Sequence, residues 1–241
     1  MALDPRVLIS LTRNSSADIT ISTGTFIELL TDNNNKPITY NDSYIALILP
    51  DTYTRVPYLE STGTQYINTG FIPTTDFKHT LVFEVTSDSN SNKYICGSGV
   101  SEGRSGNLRI NGNTLNGLYI NKSSAVSILS STQTIQLNTK YIIVMDLHPS
   151  ATNTVTLNGT NVGNTSTGTI DSTKPLYLWS LSNSYLPIGV RIYSSKIEQQ
   201  NGQSYYFIPA RRNSDSILGM YDLISGTFKI NSGTGSFITE E

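Results

Sequence analysis

The sequence predicts an all-β protein, a sandwich or a barrel, and three observations support this prediction. Short apolar runs of strand length follow one another along the chain, separated by Gly, Asn, Ser and Pro. No window of ten or more residues keeps the apolar period of a helix. Charged residues make up only 14% of the chain, and Ser, Thr, Asn and 14 tyrosines replace them, as is typical of strands with polar outer faces.

The first fifty-odd residues predict a small β-module. Turn-forming residues separate four apolar runs, at residues 7–11, 19–21, 25–30 and 44–49. The segment between Pro50 and Pro57 is predicted as a joint, because prolines interrupt strand pairing. The chain therefore divides into an N-terminal β docking module, residues 1–55, and a β-sandwich, residues 56–241. Since so small a sheet buries little apolar area, we expect it to dock on the sandwich or on another chain.

The sandwich region contains evenly spaced strand predictions. They fall at residues 80–85, 93–96, 107–110, 117–120, 134–137, 140–147, 154–157, 176–179, 190–193 and 205–208. Asn111-Gly112 and Asn158-Gly159 predict type I′ hairpin turns, in which two consecutive residues adopt positive φ. Near the C-terminus, Ser225-Gly226 predicts a tight turn, and Asp222 is expected to accept hydrogen bonds from the backbone N–H groups of that turn.

Three segments of the sequence carry a family resemblance. Residues 58–70 resemble the opening strand of concanavalin/laminin-G-like domains, and residues 140–147 with 154–159 resemble the long central strand and its Asn/Asp-Gly hairpin. The tail, residues 207–212 and 218–235, is similar to the closing signature "FIPxxR…GLYDxxSGxFYxNxGTGxF" of that group. Lys229 stands where this signature usually has Tyr.

The resemblance runs from residue 58 to about residue 237 and implies a concanavalin/laminin-G-like jelly-roll sandwich of the kind found in gut (crAss-like) bacteriophage virions. It implies a virion structural protein, an auxiliary or decoration capsid protein that contacts other virion proteins, whether capsid or appendage subunits. The alternative is a glycan-binding adhesin module of a head fibre or tail appendage, with host surface glycan as the partner.

Charge and cysteine content restrict the partners further. The net charge is -2, and Arg211-Arg212 is the only adjacent basic pair, so nucleic acid is not expected as a partner. The N-terminus does not resemble a signal peptide, and no stretch is apolar enough to span a bilayer. We therefore expect synthesis in the host cytoplasm, a location in the virion and no membrane partner. The single cysteine, Cys96, excludes an internal disulfide and is predicted to be a buried thiol.

The sequence predicts no enzyme, metal or cofactor. Concanavalin-like glycosidases carry their acidic residues two to four positions apart on one strand, whereas Glu84 and Asp146 have no acidic neighbour at that spacing. His79 and His148 lie beside strand edges and share no metal-ligand spacing with Cys96. Residues 88–92 and 171–173 offer oxygens, but turn chemistry explains both segments. Catalytic and metal-binding residues are therefore predicted to be absent.

Three aromatic residues are candidates for a sugar-binding platform: Tyr119, Tyr177 and Trp179. Alternation along residues 176–181 puts Tyr177 and Trp179 on one face and the leucines on the other, and the leucines are expected to face the core. Trp179 is then exposed, or covered by a partner or by the N-terminal module. The competing interpretation is a tryptophan of the core or of an interface.

Overall fold

A computed structural model describes residues 27–29, 39–40, 43–44, 46–87, 92–99, 104–121, 126–148, 151–166, 170, 172–184, 186–199 and 202–240. None of these residues lies in a helix. The strands, in chain order, are β1 (Ile27–Leu29), β2 (Thr39–Tyr40), β3 (Ser43–Tyr44), β4 (Ala46–Ile48), β5 (Tyr53–Arg55), β6 (Leu59–Thr62), β7 (Ile67–Asn68), β8 (Phe77–Val85), β9 (Lys93–Ser98), β10 (Arg104–Asn111), β11 (Thr114–Asn121), β12 (Val126–Ser127), β13 (Gln133–Thr134), β14 (Lys140–Leu147), β15 (Asn153–Leu157), β16 (Thr160–Thr165), β17 (Tyr177–Leu178), β18 (Ile188–Gln199), β19 (Tyr205–Arg212), β20 (Leu218–Asp222) and β21 (Phe228–Ile230).

Two antiparallel sheets form the body of the protein. The larger sheet has ten strands, in the order β16-β15-β14-β8-β18-β19-β20-β21, with β6 beside β18 and β5 beside β19. The smaller sheet has seven strands, in the order β12-β11-β10-β9-β17-β7, with β13 beside β11. The described residues therefore form an all-β sandwich of two antiparallel sheets, and this part of the sequence prediction is confirmed.

The core lies between the two sheets, and strand alternation explains how it forms. In β8, Phe77, Leu81 and Phe83 are buried, whereas the intervening Lys78 is exposed. The smaller sheet contributes buried side chains that include Cys96 and belong to the same apolar cluster. The prediction of a buried thiol is confirmed, and desolvation raises the pKa of Cys96 to about 12.

The hairpin predictions are confirmed at one site and displaced by one residue at the other. Asn158 and Gly159 have φ values of 49° and 79°, and they join β15 to β16 as a type I′ turn requires. In the other hairpin, Asn111 pairs with Thr114 and ends β10, so the two turn residues are Gly112 and Asn113. Only Gly112 of these two has a positive φ, 62°, which is the pattern of a type II′ turn.

The two motif segments at the ends of the sandwich hold each other in place. The buried Gln65 donates from Nε2 to the Thr234 carbonyl over 3.1 Å. Asn231 accepts from the Tyr66 N–H over 3.2 Å. Asp222 is fully buried and accepts from the Ile224 and Ser225 N–H groups, which confirms its predicted role in the turn. These motif residues therefore stabilise the fold. The family resemblance that they carry concerns the fold.

The described part of the N-terminal region forms two strand pairs, β1 with β4 and β2 with β3. The apolar runs at residues 7–11 and 19–21 lie outside the described residues. Between Pro50 and Pro57, β5 pairs with the end of β19, so the predicted joint contains a strand of the larger sheet. The division at residue 55 stays a prediction.

Candidate interaction sites

Trp179 belongs to the core, and the prediction that it shares the outward face of Tyr177 is wrong. Its side chain has no exposed area, its indole N–H donates to the Val190 carbonyl over 2.7 Å, and its ring lies 4.7 Å from that of Phe237. The backbone leaves the strand at this point, with a φ of 56°, so simple alternation no longer decides the direction of the side chain. The competing interpretation, a core tryptophan, agrees with these contacts.

The other two aromatic candidates lie apart. Tyr177 is half-buried and contacts Tyr66 edge-to-face, with ring centroids 5.8 Å apart. Tyr119 pairs through its backbone with Asn107 in β10, and its side chain lies outside what the structure describes. Strands β9 and β10 separate β11 from β17 in the smaller sheet. The backbone arrangement therefore separates Tyr119 from Tyr177 by two intervening strands, and Trp179 offers no ring face to a ligand.

Glu84 has charged partners that its own strand does not reveal. Arg191 donates to Glu60 over 2.7 Å and to Glu84 over 3.3 Å, and Tyr193 donates to Glu84 over 2.5 Å. The guanidinium also lies 4.2 Å from the ring centroid of Tyr58. We call Glu60, Glu84 and Arg191 the arginine cluster.

The arginine cluster is suited to structure rather than to catalysis. The carboxylates of Glu60 and Glu84 are 13% and 9% exposed, so little solvent or substrate reaches them. Burial and the hydrogen bond to Glu84 raise the pKa of Tyr193 to about 12. A glycosidase needs one protonated carboxyl and one free carboxylate on either side of a sugar bond, and here one cation binds both groups.

A second cluster surrounds His148 at the opposite end of β8. His148 Nδ1 lies 2.9 Å from Asp76 Oδ2, and Nε2 lies 3.1 Å from Asp146 Oδ1. The contact with Asp76 is a hydrogen bond, whereas the contact with Asp146 is within ion-pair distance only. We call Asp76, Asp146 and His148 the histidine cluster.

The histidine cluster opens into a pocket of about 240 Å³, and Lys78 and Glu198 complete its charged wall. The side chains of the cluster are 29% to 40% exposed, so a solute reaches them. No group of three metal-ligating side chains suited to an ion occurs among the described residues. The pocket instead offers carboxylate acceptors beside an ammonium donor, the groups that bind hydroxyls and amines.

The register of the larger sheet explains why sequence reasoning missed this pocket. Asp76 directly precedes β8, His148 directly follows β14, and the two strands are antiparallel, so their neighbouring ends meet. Asp146 and Glu198 both pair with Lys78, one on each side of β8. The strand at residues 140–147 was predicted with its observed bounds, but nothing in the sequence indicates which strand lies beside it.

A groove of about 430 Å³, lined by apolar and polar residues, lies beside the C-terminal hairpin. Ile217 and Ile230 line it and are 37% and 47% exposed, while Leu218 is half-buried and Phe237 is buried. Asp215 at the rim is paired with Arg212 over 2.6 Å. The groove therefore exposes two isoleucines among polar residues, and its acidic residue, Asp215, already has an ionic partner.

The remaining candidates provide no accessible site. His79 is fully buried, and Nε2 hydrogen-bonds with Ser195 Oγ over 2.9 Å. Desolvation lowers the pKa of His79 to about 3, so the ring is neutral near pH 7. Residues 88–91 and 171, parts of the two oxygen-rich segments, lie outside the described residues. No helix in the described part of the chain is long and apolar enough to cross a membrane.

Comparison with known proteins shows only distant structural similarity. No protein-family model matches the chain, and no curated protein matches it. Among solved structures, the chain is similar to a native heptameric SAP-like pentraxin from Limulus polyphemus. The TM-score is 0.37 and the sequence identity 14%, with 72% of this chain and 75% of the pentraxin chain covered. The likeness is too distant to transfer the pentraxin's assembly to this chain.

Proposed function

We propose that this chain is a bacteriophage virion structural protein, an auxiliary or decoration capsid protein that acts through contacts with other virion proteins. The tail signature at residues 207–235 supports this assignment by its resemblance to phage surface domains. The observation that carries the proposal is the exposure of two isoleucines, Ile217 and Ile230, in the groove beside that tail. The proposal places the protein in the virion after synthesis in the host cytoplasm.

The groove matches a protein partner that presents a large apolar side chain. Ile217 and Ile230 expose aliphatic surface on either side of it, and burial of such surface is the main favourable contribution to association. Since Asp215 is already paired with Arg212, the rim needs no opposite charge from the partner. A capsid or appendage subunit with an exposed Leu, Ile or Phe is the occupant to which the proposal commits.

The test is incorporation into particles. Ile217→Asp combined with Ile230→Asp places charge in the groove and should reduce the copy number per particle at least tenfold. Ile142→Asp is the matched control, because Ile142 is 46% exposed and lies on a strand outside the groove. Normal incorporation of the double variant would overturn the assignment of the groove.

The N-terminal module is proposed as the second attachment point. Removal of residues 1–45 leaves Leu49 and β5 in place, so it removes most of the module without cutting the larger sheet. The expected result is a folded protein that is depleted from particles. Incorporation at normal copy number would show that the module has no anchoring role.

The proposal also holds that the protein is not an enzyme. Its support is that Glu60 and Glu84, which converge in the arginine cluster, are largely buried and both form ion pairs with Arg191. Incubation with host surface polysaccharides should release no reducing ends. Cleavage that is lost in an Asp146→Asn variant would contradict this part.

A glycan-binding adhesin module is the second candidate, and the histidine cluster pocket favours it. Its volume suits one sugar unit, and its carboxylates and ammonium can bind vicinal hydroxyls. A glycan array should then show binding that is lost in Asp146→Asn. Asp215→Asn is the control, since Asp215 is also ion-paired and 39% exposed, against 40% for Asp146. Trp179→Ala is unsuitable as a probe because it removes a core side chain.

A further inference from the structure

Four asparagines of the chain precede a glycine: Asn111, Asn116, Asn158 and Asn201. At such a pair the backbone nitrogen of the glycine can attack the asparagine side chain, because glycine has no side chain to obstruct the ring that forms. Asn201 lies outside the described residues. The other three pairs share the same chemistry, so their folded surroundings decide which of them reacts.

The reaction is deamidation, and it needs a reachable glycine nitrogen and a free leaving group. The nitrogen loses its proton to a base from the solvent and bonds to the asparagine Cγ, while the Cγ–Nδ2 bond breaks and ammonia leaves. Water then opens the five-membered imide at either of its carbonyl groups, which leaves aspartate or isoaspartate in place of asparagine. The reaction uses only water and base from the solvent and changes no oxidation state.

Two of the three pairs lie in the smaller sheet, and in both of them the glycine is buried. Gly117 is buried and pairs with β10. Asn116 Nδ2, the leaving group of that pair, donates to Asn92 Oδ1 over 3.0 Å. Gly112 is buried as well, although Asn111 before it is exposed. The fold therefore keeps solvent base away from the nitrogen that would attack.

The third pair lies at the open tip of the hairpin between β15 and β16. Asn158 and Gly159 are both exposed, and a Cβ added to Gly159 would meet no atom within 4 Å outside the adjacent residues. Neither the Gly159 N–H nor Asn158 Nδ2 has a hydrogen-bond acceptor among the described residues. The attacking nitrogen is therefore reachable and the leaving group is free.

The electrophile of this pair is also held in place. Asn158 Oδ1 accepts from the Ile142 N–H over 2.9 Å. This hydrogen bond polarises the Cγ carbonyl, and the same N–H would stabilise the oxyanion that forms when the nitrogen attacks. The hairpin tip thus combines an open nucleophile with an activated amide.

We propose that Asn158 is a site of spontaneous deamidation in the folded protein, and that it reacts faster than Asn111 and Asn116. Either product adds negative charge to the hairpin tip. Isoaspartate also lengthens the backbone, so the acceptor that holds the Ile142 N–H is displaced. This proposal is independent of the proposed function.

The test compares the three sites in folded and in unfolded protein. Full-length protein is incubated at mildly alkaline pH, with and without urea, and each site is followed by peptide mapping with mass spectrometry. In urea the three sites should convert at similar rates, because only the local sequence acts there. In the folded protein Asn158 should convert about tenfold faster than Asn111 or Asn116, because the burial of Gly112 and Gly117 must first be undone by local opening. Equal rates at the three sites in the folded protein, or complete protection of Asn158, would overturn the proposal.

A variant of the attacking residue provides the second measurement. Gly159→Asn keeps a residue type that tolerates positive φ, at a position with open space, and adds a side chain that obstructs ring closure. It should slow the conversion of Asn158 about tenfold. Thr160→Ser is the matched control at the next position and should leave the rate unchanged. An unchanged rate in Gly159→Asn would show that access to the nitrogen of residue 159 does not control the reaction, against the proposal.

Discussion

The outer face of the larger sheet carries a carboxylate–cation cluster at each end of β8, and the two clusters differ mainly in burial. In the arginine cluster, Glu60 and Glu84 are 13% and 9% exposed, Arg191 lies over the ring of Tyr58, and the Tyr193 hydroxyl donates to Glu84. In the histidine cluster, Asp76 and Asp146 are 32% and 40% exposed and face a pocket. Similar chemistry therefore stabilises the sheet at one end and is available to a ligand at the other.

The difference shows that convergent carboxylates do not by themselves indicate a reacting centre. Removal of the cation from a buried cluster leaves uncompensated charge in a region of low dielectric, and this lowers the free energy of unfolding. An exposed cluster is screened by water, so it contributes little to stability and its groups remain open to solutes. Burial is thus the property that distinguishes the two clusters.

The largest expected effect on stability comes from a third group, the core residue His79. It measures what a buried titratable group contributes to the free energy of unfolding. Because the pKa of this imidazole is lowered to about 3, the unfolded chain binds a proton that the folded chain does not bind between pH 6.5 and 3. Stability should therefore be unaffected by His79 above pH 6.5 and fall by about 3 kcal/mol by pH 4. Urea denaturation at a series of pH values measures this loss of stability.

Two variants separate the histidines in that experiment. His79→Gln should reduce the loss of stability in acid, because Gln does not titrate. His148→Gln should leave most of the loss in place. The opposite result, with the acid response carried by His148, would show that the outer cluster controls the response of the fold to pH.

The next effect tests the arginine cluster. Arg191→Met should lower the free energy of unfolding by about 2 kcal/mol, since it strands Glu60 and Glu84 in a mostly buried site and the guanidinium itself is 24% exposed. Lys196→Met is the control, because Lys196 and its partner Glu198 are 44% and 43% exposed and should contribute less than about 0.5 kcal/mol. Equal effects of the two variants would remove the distinction between the clusters.

The smallest effect belongs to the histidine cluster. His148→Gln should change the free energy of unfolding by less than about 1 kcal/mol, because both of its ion pairs are partly exposed to water. Thermal or urea denaturation at pH 7 provides the measurement. A loss as large as that of Arg191→Met would mean that this cluster is structural as well.

Local patterns predicted several features of the molecule correctly. The strand at residues 140–147, the Asn158-Gly159 turn and the role of Asp222 were all predicted from adjacent residues. Each depends on alternation or on positive φ, which a short segment settles by itself. Trp179 was assigned to the wrong face because its φ of 56° interrupts the alternation that the prediction assumed.

The candidate site depended on information that no local pattern contains. Glu84 and Asp146 have no acidic neighbour at the spacing of a glycosidase, yet the sheet brings Glu60 and Arg191 to Glu84, and Asp76 to His148 beside Asp146. The partners in these contacts come largely from neighbouring strands. A shift of two residues in strand register would preserve every buried face and would still move Asp146 away from Lys78.

Composition and alternation were enough to specify an all-β chain with an apolar inner face and polar outer faces, because each strand carries that pattern in its own residues. Which strands became neighbours, and in what register, was decided by the folded chain as a whole, because pairing depends on packing between segments far apart in sequence. The buried arginine cluster and the open histidine cluster both result from those pairings.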